Sequence, residues 1–312
     1  FLDSVLASLE GQTLKNFEVI FVDNGSSDGS CSFVAGNYPW VHIIELPENY
    51  GFCKAVNEGI KASRAPYVLL LNNDTEVKED FLEEMVAAIR RHKRAFSCAA
   101  RMVQYHDRDR LDDAGNFYNA LGWSFARGKG RDIHTYEKEE QIFSSCGGAA
   151  IYRRKLFEKI GYFDEEHFAY LEDIDVGYRA KIYGYKNVYC PSAMVYHVGS
   201  GTSGSRYNSF KVRLAARNNI YLNYKNMPWP QLLLNALPLG LGILVKYGFF
   251  KKIGFGKDYL DGLKEGVKTA KLCKKVKYNR DHLKHYAAIE WELCTGTLLY
   301  IREFLARQAA KR

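Results

Sequence analysis

The chain alternates short, continuous apolar runs with segments that carry apolar residues on one helical face. Continuous runs are typical of strands buried on both faces, and an apolar residue at every third or fourth position is typical of an amphipathic helix. The apolar runs lie at 18–22, 41–46 and 67–71, and the helical segments lie at 1–9, 53–62 and 79–92. This alternation predicts an α/β domain with a mostly parallel central sheet.

The pattern fades and then returns further along the chain. Residues 100–142 are polar, contain several glycines and show no period, which predicts irregular or mixed structure there. Beyond them the pattern predicts strands at 149–152 and 193–197, and helices at 154–160 and 174–183. The α/β alternation therefore extends to about residue 197.

Helical periodicity dominates the last third of the chain. Acidic residues are absent from residue 205 to Lys257, and the apolar spacing becomes helical, so we place a boundary at residue 205. The predicted organisation is an α/β domain at 1–205 followed by a helical, basic region at 206–312. Because the sequence opens directly in a helix, we expect a first strand to lie upstream of Phe1.

Composition places the chain among folded, globular proteins. Of its 312 residues, 47% are hydrophobic and 14% are aromatic, which excludes the polar, aromatic-poor class of disordered proteins. The seven cysteines form no CxxC pair. They therefore predict reduced thiols in a cytoplasmic protein, and no zinc site.

The formal net charge of +8 is concentrated in the last third of the chain. The lysines there are Lys246, Lys251, Lys252, Lys257, Lys264, Lys268, Lys271, Lys274, Lys275 and Lys277. Beside them, the uncharged run 226–245 is interrupted by prolines. This combination predicts a helix that lies on an anionic membrane surface, with no nucleic acid as partner, although a buried helix of a small C-terminal domain fits equally well.

Polar residues follow three of the predicted strands. Asp23 opens a loop with two glycines, which suits a contact to a nucleotide or a simple turn. Asp74 and Glu76 lie two residues apart, so in an extended strand both carboxylates point the same way and could share one hard cation. His197 also ends a strand and could complete such a site for Mg²⁺ or Mn²⁺, or could be a structural histidine.

A group of carboxylates lies next to the start of a predicted helix. Glu172, Asp173 and Asp175 follow an aromatic run that contains Phe168 and Tyr170. One of these carboxylates could cap the helix. Alternatively, a carboxylate held beside aromatic side chains can act as a general base toward a hydroxyl group.

The order of these motifs resembles the family 2 glycosyltransferases of the GT-A fold from Phe1 to about Pro228. The resemblance implies an inverting, metal-dependent transfer of a sugar from a nucleotide diphosphate to a glycan hydroxyl. The residues that carry it lie in the loops 23–30 and 48–52, at Asn57 and Gly59, and in the segments 71–76, 161–175 and 191–197.

The resemblance also implies roles for individual residues. Asp173 would be the catalytic base, with Glu172 beside it, and Gly147 and Gly148 would form a small-residue turn on the acceptor side. The metal, Mg²⁺ or Mn²⁺, would bind Asp74, Glu76 and His197. The implied donor-binding residues are Asp23, Asn49, Asn57, Asn72 and Asn73. Asn72 occupies the position where the family usually has its first acidic residue. The metal would therefore bind the carboxylates that follow it.

The subgroup with the greatest resemblance is the bacterial rhamnosyltransferases, on residues 71–75 and on Arg217, Asn218 and Asn219 leading into 225–228. This implies rhamnose from dTDP-rhamnose as donor and a cell-surface glycan or a lipid-linked saccharide as acceptor. The enzyme would be cytoplasmic and peripheral on the inner face of the cell membrane. Transferases that use UDP-linked N-acetylglucosamine, galactose or galactofuranose remain alternatives.

Two other classes of protein compete with this interpretation. Residues 199–204 fit the GxGxxG pattern of dinucleotide-binding oxidoreductases, but no acidic residue follows about twenty residues later to hold a ribose. A catalytically silent module that binds nucleotide sugars is the second class. Asp74, Asp173 and His197 together favour catalysis, because a silent module needs neither a base nor metal ligands.

Overall fold

The computed structural model describes residues 1–199 and 207–309. The helices are α1 Leu2–Glu10, α2 Ser30–Asn37, α3 Phe52–Ala62, α4 Phe81–Arg91, α5 Arg154–Ile160, α6 Glu172–Ile182, α7 Ser209–Asn226, α8 Trp229–Leu234, α9 Ala236–Lys252, α10 Gly256–Thr269 and α11 Leu283–Ala309. The strands are β1 Ile20–Asn24, β2 His42–Leu46, β3 Tyr67–Leu71, β4 Thr75–Val77, β5 Ala95–Gln104, β6 Leu111–Asp113, β7 Asn116–Tyr118, β8 Ser124–Ala126, β9 Glu140–Ile142, β10 Ala149–Arg153 and β11 Lys186–His197. Single 3₁₀ turns occur at Glu165–His167, Ala270–Leu272 and Arg280–His282.

Seven strands form the central sheet, whose main path runs β3–β10–β5–β11–β4. Strand β6 adds to β5 and β9 adds to β11. Only β5 and β11 run parallel among the pairs of this sheet, while β1 and β2 form a separate parallel pair. The predicted α/β class is confirmed, with a mixed central sheet because β10 and β4 run against their neighbours.

Two apolar clusters fix the layers around the sheet. In one, Phe81, Met85 and Ile89 of α4 are fully buried against residues of β5, β10 and β11. In the other, Phe96 lies within 5.3 Å, ring centre to ring centre, of both Tyr152 and Phe157. Full burial of such side chains contributes roughly 1.5–3 kcal/mol each, so these clusters hold the carboxyl ends of the strands in fixed positions.

Most predicted elements agree with the structure to within a few residues, but helix α2 and strands β4 and β5 were not predicted, and β11 is longer than predicted. Strand β5 was not predicted, because Ala95–Gln104 contains four alanines or serines among its buried residues and lacks a run of branched side chains. Strand β11 begins at Lys186, well before the predicted start at 193. Its pairing with β5 shifts register between Cys190 and Met194, next to Pro191, and this irregularity hides the first half of the strand in the sequence pattern.

The prediction of helical structure in the last third is confirmed by α7 to α11. Helix α7 packs on α10 at close range, because a Cβ atom at Gly262 would lie 2.3 Å from the Arg213 carbonyl oxygen. Among the described helices, none is both long enough and apolar enough to cross a membrane. The division into domains at residue 205 stays a prediction.

Candidate active site

The two loops predicted to bind the donor are joined by hydrogen bonds. Asp23 ends β1, and its Oδ2 accepts a hydrogen bond of 3.0 Å from the Ser26 amide. The side chain of Asn24 donates to Asn49 Oδ1 at 2.9 Å and accepts from the Tyr50 amide at 3.0 Å. The structure therefore brings Asp23 and Asn49 to one edge of the β1–β2 pair.

A glycine makes this close approach possible. Gly25 has a φ of +76°, and a Cβ atom there would lie 2.6 Å from the backbone of Glu48. An L side chain is strained at that φ and would also displace the second loop. Glycine at this position thus fixes the relative placement of the two loops.

The Asn57 amide does not point toward the donor loops. This differs from the prediction that Asn57 lines a nucleotide pocket. Its Nδ2 donates to the Phe163 carbonyl at 2.8 Å and to Glu165, and its Oδ1 accepts from the Phe163 amide at 3.1 Å. The side chain is buried. Asn57 therefore anchors the segment after α5 to helix α3, because backbone groups of that segment take both ends of its amide.

His197 lies between two buried carboxylates. Its Nδ1 is 2.8 Å from Asp112 Oδ2, and its Nε2 is 3.4 Å from Asp74 Oδ1. Burial alone would lower the pKa of His197, but the hydrogen bonds to Asp112 and Asp74 raise it to about 9. The predicted partners Asp74 and His197 are thus adjacent, and Asp112 is a third member that the sequence did not indicate.

Glu76 does not join this group, so its prediction as a metal ligand is corrected. The strand β4 begins at Thr75, and its register pairs Glu76 with Tyr196 and Thr75 with His197. Neighbouring residues of a strand point to opposite faces, so Glu76 and His197 are on opposite faces of the pair. Glu76 instead accepts from Arg108 Nη2 at 3.0 Å, and the Arg108 guanidinium stacks 3.9 Å from the Tyr196 ring centre.

Asp74 and His197 could be two ligands of a divalent cation once His197 has lost the proton from Nε2. Two ligands at right angles on Mg²⁺ are about 3 Å apart, close to the 3.4 Å between these two side chains. The contact of Asp112 with Nδ1 orients the ring, as carboxylates commonly do for metal-binding histidines. Within residues 1–199 and 207–309, no group of three or more His, Cys, Asp or Glu side chains is placed to hold a metal ion. A cation bound at this pair would therefore need substrate oxygens or water as its remaining ligands.

The other predicted donor and acceptor residues lie around this pair. The Asn72 amide donates to the Gly148 carbonyl at 2.9 Å, and Asn73 is exposed. A Cβ atom at Gly148 would lie 3.1 Å from the Asn72 side chain, and one at Gly147 would lie 3.2 Å from the Phe52 ring. The turn at Gly147 and Gly148 thus packs directly against the loop that leads to Asp74.

Asp173 is held at the start of α6 by two hydrogen bonds. Its Oδ2 accepts from Asn116 Nδ2 at 2.7 Å, and its Oδ1 accepts from the Ile174 amide at 2.7 Å. Burial raises the pKa of Asp173, and the bonds from Ile174 and Asn116 oppose that rise. Asn116 was not indicated by the sequence, because it lies in the stretch without a recognisable period.

Glu172 is the less stabilised of the two neighbouring carboxylates. Its Oε2 is buried and has no hydrogen-bond partner among the described residues. Burial and the adjacent charge of Asp173 raise the pKa of Glu172 well above its ordinary value. The hydrogen bonds to Asp173 and the lack of one to Glu172 Oε2 favour the negative charge of the pair on Asp173.

The short segment 112–116 contacts two groups of the site, Asp74 with His197 and Asp173 with Glu172. Asp112 in β6 contacts His197, and Asn116 in β7 contacts Asp173. The Cα atoms of Asp112 and Asn116 are therefore at most about 14 Å apart, so one short stretch of chain contacts both groups. Between them, Asp113 is buried, and burial with the charges of Asp112 and Asp173 raises its pKa to about 7.

The loop at 165–171 has an unusual backbone and is held by helix α7. Phe168, Tyr170 and Leu171 have φ values of +61°, +73° and +65°. Such conformations cost non-glycine residues about 1–3 kcal/mol each and persist only where neighbours enforce them. Asn218 Nδ2 lies 2.8 Å from the carbonyl oxygens of three loop residues, and Arg217 Nη2 donates to two loop carbonyls. Helix α7 thereby fixes the loop that leads into Asp173.

Asp175, the third carboxylate of the predicted group, stabilises the contact between two helices. It is fully buried and accepts hydrogen bonds from Arg179 and from Lys225 and Asn226 of α7. Burial opposes its ionisation, but the charges of Arg179 and Lys225 hold the pKa of Asp175 far below its usual value. This permanently charged carboxylate joins α6 to α7 and is not available as a base.

An open cavity of about 490 Å³ lies between the donor loops and the 165–171 loop. Its walls include Tyr50, Lys54, Phe168, Phe210 and Arg217. Gly51 permits this arrangement, since a Cβ atom there would lie 2.6 Å from the Phe168 ring. The GxGxxG stretch at 199–204, considered above for dinucleotide binding, lies outside the described residues after its first glycine.

Comparison with known proteins places this geometry in a context. The family model described as Glycosyl transferase family 2 matches residues 1–161. The N-acetylglucosaminyl-diphospho-decaprenol L-rhamnosyltransferase of Mycobacterium tuberculosis is 28% identical over 226 residues, which cover 65% of this chain and 73% of that protein.

Solved structures show the same fold at low sequence identity. TarS 1–349 of S. aureus in complex with UDP-GlcNAc superposes with a TM-score of 0.58 at 18% identity, covering 86% of this chain and 77% of that one. The mannosyltransferase PcManGT of Pyrobaculum calidifontis, in complex with GDP-Man and Mn²⁺, gives a TM-score of 0.53 at 15% identity and covers 96% of this chain and 76% of its own. These similarities confirm the GT-A fold.

Proposed function

The chain belongs to glycosyl transferase family 2, and from that membership we propose that it transfers L-rhamnose from dTDP-rhamnose to a hydroxyl of a lipid-linked or cell-surface saccharide, with inversion. The mycobacterial relative, named as an L-rhamnosyltransferase that acts on a decaprenyl diphosphate sugar, supports this donor and this class of acceptor.

The observation that carries the proposal is the placement of Asp173. One of its oxygens is held by Asn116, and the other by the start of α6, and both hydrogen bonds favour its charged form. Burial and the adjacent charge of Asp173 raise the pKa of the neighbouring Glu172, so Asp173 is the better candidate for the base. We assign it the removal of the proton from the acceptor hydroxyl as that oxygen attacks the anomeric carbon. The bond from that carbon to the diphosphate breaks in the same displacement, so the anomeric centre inverts.

The second half of the site would hold the leaving group. Asp74 and His197 would bind Mg²⁺ or Mn²⁺, and Asp112 would keep the His197 ring in the orientation that presents Nε2. The metal, when bound, neutralises the negative charge that grows on the departing diphosphate. Asp23 and Asn49 would contact the nucleotide at the joined loops, and Asn72 and Asn73 would line the donor beside them.

Replacement of Asn116 tests whether this side chain tunes the base. The Asn116 amide stabilises the charged form of Asp173, so Asn116→Ala should raise the pKa of Asp173. Because the base must be ionised, activity is lost as the pH falls through this pKa, and the acidic limb of the pH–kcat profile should move to higher pH. A rise of about one unit from a pKa of about 6 lowers kcat about twofold at pH 7 and approaches about tenfold below pH 6, with the donor KM nearly unchanged.

A purely structural role for Asn116 would give a different result. It would lower kcat by the same factor at every pH and would lower the temperature of unfolding. The matched control is Asn279→Ala, which removes an exposed amide from the last third of the chain and should leave both the profile and the rate unchanged.

Two alternatives remain within the family. The S. aureus structure contains UDP-GlcNAc, so a UDP-linked sugar is the second candidate donor. The other alternative is a silent module that binds a nucleotide sugar without turnover. The raised pKa of Glu172 next to a hydrogen-bonded Asp173 favours catalysis, because a binding module gains nothing from a buried carboxyl oxygen without a partner.

The proposed function is tested by release of nucleoside diphosphate from dTDP-, UDP- and GDP-sugars. Each donor is mixed with a polyprenyl diphosphate-linked N-acetylglucosamine acceptor and with Mn²⁺, Mg²⁺ or EDTA. We expect release from dTDP-rhamnose, loss of release in EDTA, and a large loss in Asp74→Asn. Release from a UDP-sugar alone would replace rhamnose with the second candidate, and binding of nucleotide without any release would support the silent module.

A further inference from the structure

Helices α8 and α9 carry a stripe of exposed apolar side chains along one side. Hydrogen bonds from the Asn235 amide to the Gln231 carbonyl and from the Leu239 amide to the Asn235 carbonyl continue the helical turn between the two helices. Residues spaced by three or four positions therefore lie on one side. The stripe, as defined here, consists of Trp229, Leu233, Leu237, Leu241 and Leu244.

These side chains are unusually exposed for their size. Trp229 is 72% exposed, Leu237 is 83% exposed and Leu244 is 66% exposed. Single exposed apolar residues are common on soluble proteins, but a row over several helical turns marks a surface that contacts another apolar phase. The stripe is therefore a contact surface that the rest of the described chain does not cover.

Positive charge flanks the stripe at both ends. Lys251 and Lys252 are exposed in the last turn of α9. At the other end, Trp229 borders a cavity of about 610 Å³ whose walls include Lys275, Lys277 and Arg280. No aspartate or glutamate occurs from Trp229 to Lys257.

We propose that the stripe inserts into the interface of a bilayer containing anionic phospholipids, with α9 parallel to the membrane plane. Such an interface binds helices that carry apolar side chains on one side and lysines at its boundary. The apolar side chains enter the acyl region, and the lysines interact with anionic headgroups. A second copy of the chain fits less well, since a two-fold pairing of this surface would bring like charges together. The 17 residues of α9 give a contact about 25 Å long.

The position of α9 connects this surface to the candidate active site. A Cβ atom at Gly242 would lie 1.9 Å from the Leu121 carbonyl oxygen, and Trp123 Nε1 donates to the Gly242 carbonyl at 3.1 Å. Leu121 and Trp123 lie in the turn of the β7–β8 hairpin, whose first residue, Asn116, holds Asp173. The same hairpin therefore contacts α9 through its turn and Asp173 through its first strand. This link rests on the proposed function, whereas the membrane contact does not.

Sedimentation with vesicles tests the proposal. The full chain is mixed with vesicles of phosphatidylcholine, with or without phosphatidylglycerol, and the bound fraction is measured. We expect binding to the anionic vesicles and a loss of at least tenfold in the partition coefficient for Leu237→Gln/Leu241→Gln/Leu244→Gln. Lys251→Gln and Lys252→Gln should each lower it roughly fivefold at low salt, with a smaller effect at high salt.

The control variant Phe33→Gln/Trp40→Gln/Val267→Gln removes the same number of exposed apolar side chains elsewhere and should bind as the parent does. Equal binding by the stripe variant and the parent would overturn the proposal. So would light scattering that shows a dimer which the stripe variant converts to a monomer, because the stripe would then bind a second copy. Donor hydrolysis in solution should be the same in the stripe variant and the parent, so failure of the proposed function is detected separately.

Discussion

Replacing Asp173 with asparagine should lower the rate of sugar transfer about 10²- to 10⁴-fold, the range that general base catalysis contributes. Asparagine preserves the size of the side chain. Its oxygen can accept from the Ile174 amide, and its NH2 group can donate to Asn116 once the Asn116 amide turns to present its oxygen, so the loop should keep its shape. It cannot accept the proton of the acceptor hydroxyl. The measurement is kcat with saturating donor and acceptor, together with donor affinity from nucleotide titration, which should be unchanged.

Two further variants make this result interpretable. Asp109→Asn is the matched control, because it makes the same chemical change at an exposed position and should retain full activity. Glu172→Gln should be milder than Asp173→Asn, since burial and the charge of Asp173 raise the pKa of Glu172 and disfavour its charged form. If Glu172→Gln proves to be the inactive variant while Asp173→Asn keeps most of its activity, the roles of the two carboxylates are reversed.

The largest effect on stability is expected from Lys225→Met. The Lys225 ammonium is buried between Asp164 and Asp175, and it bonds to both carboxylates. Removing one partner of a buried ion pair costs about 3–5 kcal/mol, because the remaining charge is left without compensation in a medium that solvates it poorly. Arg179 still pairs with Asp175, so we expect about 3 kcal/mol, measured as the free energy of unfolding in urea.

Lys268→Met provides the comparison for this change. Lys268 is exposed on α10, and its replacement should alter the free energy of unfolding by less than about 0.5 kcal/mol. If Lys225→Met lowers the free energy of unfolding by no more than this amount, another group must neutralise Asp164 and Asp175. Lys225 would then not be the residue that joins α6 to α7.

The sequence predicts the strand ends of the candidate site well, for a physical reason. Strands buried on both faces require long apolar runs, and the first polar residue after the run marks the point where the strand leaves the core. Asp23 directly follows the predicted run 18–22, and Asn72 and Asp74 come after the run 67–71, which forms β3. The family was likewise predicted from the order of such motifs, and the match of the family model confirms it.

The residues that support the candidate chemistry could not be predicted in the same way. Asp112 and Asn116 lie in short strands that are set by pairing with distant parts of the chain and not by a local apolar period. The error at Glu76 has a related origin, because its partner Arg108 comes from a loop with no pattern at all. Asn57 was predicted to contact the nucleotide. The sequence does not distinguish an asparagine whose amide binds a ligand from one whose amide bonds to backbone groups, as this one does.

The clamp of α7 on the 165–171 loop also bears on the order of folding. Three residues of that loop have positive φ values, which a free chain avoids. The side chains of Asn218 and Arg217, about fifty residues later in the sequence, donate hydrogen bonds to carbonyl groups of the loop and hold it in this shape. The sheet can form from β3, β5, β10 and β11 without these contacts. We therefore expect the loop before Asp173 to reach its shape only when α7 has docked, and to lose that shape before the sheet unfolds when α7 detaches.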